Sequence, residues 1–124
     1  MDPSATTPGS ETKAIPMQQD QLDALVRLHE RFLTGRIGGR RATLRNADIS
    51  GLNLKNLDLR QSDFTGCIMR NMDLSGANFQ ESSLYACDLT NANLNRTIFT
   101  RADLRGAQIE NANLESADLE SADL

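Results

Sequence analysis

The chain is poor in the residues that usually fill a globular core. It has four Phe, one Tyr and no Trp in 124 residues. No apolar run reaches the roughly 18 residues that a membrane helix needs. The first residues also lack the charged start, apolar run and cleavage site of a signal peptide. We therefore expect one soluble domain, located in the cytoplasm and without a membrane partner.

Residues that carry chemistry are equally sparse. The chain has one His and two Cys, and two Cys are too few for a disulfide scaffold. It contains no G-x-S-x-G nucleophile motif, no G-x-x-x-x-G-K phosphate loop, no G-x-G-x-x-G fingerprint and no paired Cys/His metal signature. These absences predict that the chain is not an enzyme and has no catalytic residues, cofactor or metal.

What the chain does have is a five-residue period from Ala42 to Leu124. The central residue of each five is Leu, Ile, Met or Phe in all 17 units, and Ala lies two places earlier in nine of them. Asp or Asn lies between these two positions in twelve units, so the unit is A-(D/N)-L-x-x, as in Ala102-Asp103-Leu104. Neither a helix nor a flat strand keeps every fifth residue on one side, so the backbone has to turn once per unit.

A short fixed period of this kind is typical of a solenoid. If each unit forms one side of a square, a coil has about 20 residues and residues 42–124 make about four coils. Cys67 and Cys87 would then stack in adjacent coils at the small inward position. We interpret them as buried thiols that fill a space the size of Ala, with a redox or metal pair as the alternative.

The unit A-(D/N)-L-x-x over residues 42–124 resembles the pentapeptide-repeat proteins. The resemblance implies an all-β solenoid, a right-handed quadrilateral β-helix. The recurring Asp and Asn are interpreted as short side chains that bond nearby backbone at turns, not as a ladder of metal ligands. Departures from the unit occur at Cys67-Ile68-Met69, Ser82-Ser83-Leu84 and Thr97-Ile98-Phe99.

Two segments precede the repeat. Residues 1–17 are rich in Pro, Ser, Thr and Gly and are predicted to be a disordered leader. Residues 18–34 have helical apolar spacing, with Asp20 as the expected N-cap and Gly35 as the stop. We expect residues 18–41 to be a capping helix and Gly-rich turn that covers the open end of the solenoid. Docking of a partner on this helix is the alternative, and its His29 is interpreted as a half-buried packing residue.

Charge is distributed unevenly along the chain. Residues 21–60 hold eight Lys/Arg against four Asp/Glu, whereas residues 101–124 hold two against six. This polarity favours a scaffold or adaptor that steers a protein partner. One candidate contact surface is a basic shoulder together with the exposed side of the helix, and the shoulder consists of Arg36, Arg40, Arg41 and Arg45. The alternative surface is formed by the repeat departures near Ile68, Tyr85 and Ile98. Direct nucleic-acid binding is not expected, because the arginines have no interleaved aromatic residues.

The last coil suggests a second kind of contact, because an open coil end invites pairing. We expect a homodimer joined end to end through Leu104, Ile109, Leu114, Leu119 and Leu124. The alternative explanation of the open end is that the sequence is a truncated or designed fragment. The resemblance also implies an alternative function, since some family members inhibit or protect DNA gyrase or topoisomerase by mimicking duplex DNA. Residues 42–124 carry 12 acidic and 7 basic side chains, whereas about 20 Å of B-DNA carries about 12 charges. A single rod is therefore a poor duplex mimic.

Overall fold

The computed structural model describes residues 16–124, where one helix is followed by a repeating β structure. Helix α1 spans Gln19–Leu33. The β structure consists of isolated parallel bridges, and within the repeat each one joins a residue to the residue 20 places later, from Thr43 with Asp63 to Asp103 with Asp123. The stacking unit is therefore four pentapeptides, and we call one such unit a turn of the repeat. The first turn begins at Ala42 and the last turn ends at Leu124. None of the described helices is long and apolar enough to span a membrane.

Every pentapeptide turns at the same position. The residue two places after the central apolar residue has φ between +56° and +76° from Asn46 to Ser121, and twelve of these sixteen residues are not Gly. The next N–H donates back to the central carbonyl, as from Leu52 to Ile49 at 3.2 Å. A positive φ at the third residue of a four-residue turn is the type II geometry. We call this bend the corner turn and its residue of positive φ the corner residue. One corner turn per pentapeptide accounts for the five-residue period.

The Asp or Asn before each central residue supports this turn. Its Oδ1 accepts the N–H two residues later, as Asp48 does from Ser50 at 3.0 Å and Asn93 from Asn95 at 3.0 Å. The interpretation of these residues as backbone-bonding side chains is therefore confirmed. Some also bond to Arg, and the hydrogen bond from Arg105 holds the pKa of Asp103 below its usual value.

The inward side chains form one continuous apolar core. Central residues such as Ile49 and Leu94 are almost fully buried, and the rings of Phe64, Phe79 and Phe99 follow one another at centroid distances of 5.8 Å.

At the small inward position, Ser82 and Thr97 donate to the carbonyls of Leu59 and Leu74 at 2.8 Å. Ser62 donates to the hydroxyl of Ser82 at 3.1 Å. No buried side-chain N or O atom in residues 16–124 lacks a hydrogen-bond partner.

The two cysteines follow the same rule. Cys67 and Cys87 are fully buried and unbonded to each other, and their Sγ atoms donate to the carbonyls of Leu44 at 2.7 Å and Phe64 at 2.9 Å. Burial raises the pKa of Cys67 to about 11 and that of Cys87 to about 12. Because the thiolate is the reactive form, both residues are structural, and the buried-thiol interpretation is confirmed.

The segment before the repeat differs from the prediction in detail. The N-cap of α1 is Gln18, whose N–H donates to Gln21 Oε1 at 2.8 Å, so the prediction of Asp20 was wrong. The helix ends at Leu33, and the predicted stop, Gly35, follows with φ of +69°.

The predicted leader, 1–17, lies outside the described residues except for its last two. Pro16 bridges Asp48, and Met17 N donates to Asp48 O at 3.0 Å. Met17 also packs against the core. Pro16 and Met17 thus pair with the first turn as one side of a preceding turn would. The predicted disordered leader did not include this pairing.

Helix α1 lies against the first turn of the repeat. Its buried Leu22 and Val26 join the same core cluster as Ile49, Leu54 and Leu59. The side-chain amide of Gln19 accepts from Asn53 N at 2.9 Å and donates to Asn53 O at 3.0 Å, as a neighbouring strand would.

His29 makes a second link between α1 and the repeat. Nδ1 accepts the N–H of Ala42 at 2.9 Å, and Nε2 lies 2.8 Å from the carbonyl of Arg60. The ring is fully buried, so its description as a half-buried packing residue was wrong. Its sequence position gives no sign of these bonds, since both partners are backbone groups of the repeat.

Candidate protein-binding site

The inward columns are uncovered at the last turn of the repeat. Leu104 is 7% exposed, but Ile109 and Leu124, which follow it, are 45% and 78% exposed. The inward side chains of the last turn are therefore not covered by a further turn among the described residues, and they are accessible along the axis of the coil.

An apolar cavity of about 190 Å³ opens at this end. Leu89, Leu94 and Phe99 are among the residues of the preceding turn that line it. The structure brings all five predicted dimer residues together around it: Leu104, Ile109, Leu114, Leu119 and Leu124. A dry cavity of about 150 Å³ is large enough to bind benzene, so this one has room for a branched aliphatic side chain.

The backbone at the same end has unused donors. One turn earlier, Leu89 N donates to Gln108 O at 2.7 Å, and Leu94 N donates to Asn113 O at 2.8 Å. The equivalent N–H groups of Ile109 and Leu114 have no backbone acceptor within residues 16–124. Within the described residues, the last turn therefore combines an apolar cavity with a β edge whose N–H groups have no backbone acceptor.

The last turn, whose apolar residues line the cavity, is acidic, and we call its acidic residues the acidic rim. Residues 106–124 contain five Asp/Glu and no Lys or Arg. In the part of the chain that the structure describes, none of the five forms an ion pair, whereas carboxylates on earlier turns do. Nor do the described residues contain a group of three or more His, Cys, Asp or Glu side chains placed to hold a metal. The five rim residues are Glu110, Glu115, Asp118, Glu120 and Asp123.

Three of the four arginines of the predicted basic shoulder have no ion-pair partner among the described residues, and the fourth is paired with an Asp. Arg36, Arg40 and Arg41 are exposed on the connection between α1 and the repeat. Arg45 instead bonds through Nη2 to Asp63 Oδ2 at 2.8 Å.

The exposed side of α1, which was expected to belong to this surface, adds two arginines to the shoulder. Arg27 and Arg31 lie four residues apart on α1 and are exposed, because they fall between the apolar positions of the helical pattern. Sequence reasoning missed Ile37, which is 95% exposed beside Arg36. A lone Ile between Arg and Gly was the signal for Ile37.

The three residues at the repeat departures do not form one surface. The bridge register places Ile68, Tyr85 and Ile98 on three different sides of the coil. Ile68 and Ile98 are half-buried. Tyr85 is exposed, but the guanidinium of Arg105 lies 5.5 Å from the centre of its ring. That guanidinium is itself held by two bonds to Asp103, of 2.9 and 2.8 Å.

Comparisons with known proteins agree with the repeat. A family model described as pentapeptide repeat region matches residues 40–119. A pentapeptide repeat protein from the thylakoid lumen of Arabidopsis thaliana is 33% identical, with a TM-score of 0.59 over 60% of this chain and 52% of that one. QnrB1, a plasmid-mediated fluoroquinolone resistance protein, is 28% identical, with a TM-score of 0.44 over 67% of this chain and 46% of that one.

The chain spans about half the length of these two solved relatives. No functionally curated protein matches it. Its likeness to the thylakoid protein implies that the repeat is a right-handed β-helix.

Proposed function

Because the chain belongs to the pentapeptide-repeat family, we propose that it is a non-enzymatic protein-binding module that acts as a scaffold or adaptor. The observation that carries the proposal is the apolar cavity of about 190 Å³ at the last turn. Exposed apolar patches with a polar rim mark sites of protein interaction. The cytoplasmic location and the absence of membrane and nucleic-acid partners stay predictions.

The chemistry of the site defines the partner it fits. An apolar side chain would fill the cavity, and the backbone beside it would accept the N–H groups of Ile109 and Leu114, as in strand addition. The carboxylates of the rim favour a partner with basic residues around the inserted side chain.

A homodimer through the same residues is one form of this proposal. Two copies would cover Leu104, Ile109, Leu114, Leu119 and Leu124 of each other. Such a symmetric contact would bring two rims of five carboxylates together, and like charges at an interface oppose association.

We further propose that α1 caps the other end of the four-sided coil. Gln19 and His29 satisfy backbone groups of the first turn, and Leu22 and Val26 cover its apolar interior. A covered end cannot pair with another strand. Binding through the open edge is therefore directed to the last turn.

The alternative function is a DNA mimic directed at gyrase or topoisomerase. The acidic last turn favours it. Along the sides, however, Asp58, Glu81, Asp88 and other carboxylates are already paired with Arg, so negative charge is concentrated at one end and not spread along a duplex. Unchanged supercoiling by gyrase in the presence of a large excess of the chain would reject this alternative.

Affinity capture from a host lysate tests the binding module. The chain, a variant with Ile109→Asp and Leu124→Asp, and a control with Gln61→Asp and Gln80→Asp are compared by quantitative mass spectrometry. The two variants add the same charge, but the control places it on a side of the coil. We expect a protein that the chain and the control retain and the end variant loses. Equal retention by all three would show that the last turn is not the binding site.

A further inference from the structure

The two ends of the molecule carry opposite charge. Residues 27–41, which contain the end of α1 and its connection to the repeat, hold five Arg and one Glu. Residues 106–124, at the other end, hold five acidic residues and no basic one. Within residues 16–124, none of these five arginines forms an ion pair, and neither does any of the five carboxylates. Among the described residues, both sets of charges are therefore without an ion-pair partner, although Arg31 donates to the carbonyl of Ile37 at 3.0 Å.

The two ends are also complementary in their apolar groups. Ile37 is 95% exposed, and Phe32 on the last turn of α1 is 38% exposed. The last turn of the repeat offers the cavity of about 190 Å³, which has room for an aliphatic side chain. An exposed Ile flanked by arginines matches an apolar cavity flanked by carboxylates.

We propose that the chain associates head to tail, with the α1 end of one copy docked on the last turn of the next. Ile37 of one copy enters the cavity between Ile109 and Leu124 of its neighbour, and Arg36 and Arg40 face the acidic rim. The proposal rests on the proposed function of the last turn as a protein-binding site and names the partner as a second copy of this chain.

Charge distinguishes this arrangement from a symmetric dimer. Two last turns placed face to face would oppose ten carboxylates with no Lys or Arg from residues 106–124. The head-to-tail contact instead opposes unlike charges. It also leaves one α1 end and one last turn unoccupied in every assembly, so association continues beyond two copies.

The contact is small. The end of a single coil falls at or below the low end of specific interfaces, about 1,200 Å² in total. We therefore expect association at micromolar or higher concentration. Screening of the exposed charges weakens it as ionic strength rises, because the Debye length falls from about 10 Å at 0.1 M salt to about 3 Å at 1 M.

Sedimentation velocity of the full chain over a range of concentrations tests the proposal. At low salt we expect the weight-average mass to rise beyond twice the chain mass of 13.6 kDa and to fall when salt is added. Three variants locate the contact: Ile37→Asp, a head variant with Arg36→Glu and Arg40→Glu, and a tail variant with Glu115→Lys and Glu120→Lys. Each alone should associate at least tenfold more weakly than the chain.

Two controls make the result specific. A variant with Lys55→Glu and Arg96→Glu reverses two exposed charges on the sides of the coil and should associate as the chain does. An equimolar mixture of the head and tail variants should recover assemblies larger than a dimer, because each end then meets the opposite charge. Circular dichroism verifies that every variant is folded.

Three outcomes would overturn the proposal. They are a monomer at all concentrations, association that the head variant leaves unchanged, and association that stops at two copies and strengthens with salt. The last is the signature of a symmetric dimer. The lysate capture with the Ile109 and Leu124 variant is a separate test of the binding module, so head-to-tail association can fail while the binding module stands.

Discussion

The corner residue of each pentapeptide adopts a conformation that most side chains avoid. Twelve corner residues other than Gly have φ near +60°, and they include Arg96, Glu81 and Ala86. For such residues this conformation costs about 1–2 kcal/mol. The repeat tolerates it because fourteen of the sixteen corner turns have their own backbone bond to the central carbonyl, and backbone bonds also join adjacent turns in a register of 20 residues.

Replacing a corner Ala by Gly should therefore stabilise the protein. Ala86 has φ of +59°, and Ala86→Gly relieves the strain but loses about 0.5–1 kcal/mol to the greater freedom of the unfolded chain. We expect the free energy of unfolding to rise by about 0.5–1 kcal/mol in urea denaturation.

The matched control is Ala92→Gly at a buried position whose φ is not positive. The same substitution should be destabilising there by about 1 kcal/mol. Equal effects at the two positions would contradict the strain argument.

His29 makes stability depend on pH. Since Nδ1 accepts the N–H of Ala42, the neutral ring with its proton on Nε2 fits the site. Burial lowers the pKa of His29 from 6.5, so the unfolded chain binds this proton more tightly than the folded one. The stabilisation by the neutral ring is complete above pH 6.5 and is lost as the pH falls below it.

We therefore expect the urea midpoint of the chain to fall as the pH drops below 6.5. A tenfold lower proton affinity in the folded state corresponds to about 1.4 kcal/mol. The His29→Gln variant should be less stable at neutral pH but lose this dependence. The lowered pKa values of carboxyls such as Asp58 act in a separate window, below 3.8. An identical pH profile of the variant above that window would refute the role of His29.

These residue-scale features differ in how far the sequence predicts them. The turn bonds of Asp and Asn were predictable, because a short polar side chain has a backbone N–H within reach two residues later. The bonds of His29 were not, since Ala42 and Arg60 come near it only when α1 folds against the repeat.

At the scale of elements, α1 depends on the repeat as much as the repeat depends on α1. A 15-residue helix is marginal alone in water. Its apolar spacing predicted the helix to within one residue at each end, because periodicity is a local property. The pairing of Gln19 with Asn53 spans 34 residues, and no local pattern encodes it.

Leu22 should therefore hold α1 in place. It is 1% exposed in the core that α1 shares with the first turn, and Leu22→Ala should destabilise the protein by about 2–4 kcal/mol. Leu25→Ala, at a half-buried position of the same helix, is the matched control and should cost less. Equal losses for the two variants in denaturant unfolding would show that α1 is not docked through Leu22.

At the scale of the whole molecule, the five-residue period predicted the repeat, and the charge counts predicted its polarity. Both are sums over many positions, so single departures such as Ile68 do not disturb them. The cavity was not predictable in volume, although its five apolar residues were named from the period. The basic end was predicted only in part, because the exposure of Ile37 depends on the path of the connection after α1.

The unequal ends also predict the order in which the structure opens. In a repeat protein each turn is stabilised by its neighbours, so opening proceeds from an uncovered end. The first turn is covered by α1, whereas Leu114 and Leu119 of the last turn are only half-buried. In native-state hydrogen exchange at low protein concentration, we expect the amides of Ile49 and Leu54 to be at least tenfold better protected than those of Asn113 and Asp118, which are bonded to the carbonyls of Ala92 and Thr97. That ratio corresponds to about 1.4 kcal/mol in opening free energy.

The Leu22→Ala variant should abolish the difference, because it uncovers the first turn as well. Raising the concentration of the unmodified chain should instead protect Asn113 and Asp118, since head-to-tail docking covers the last turn. Uniform exchange of all turns under every condition would mean that the molecule opens as one unit and that its two ends are equivalent.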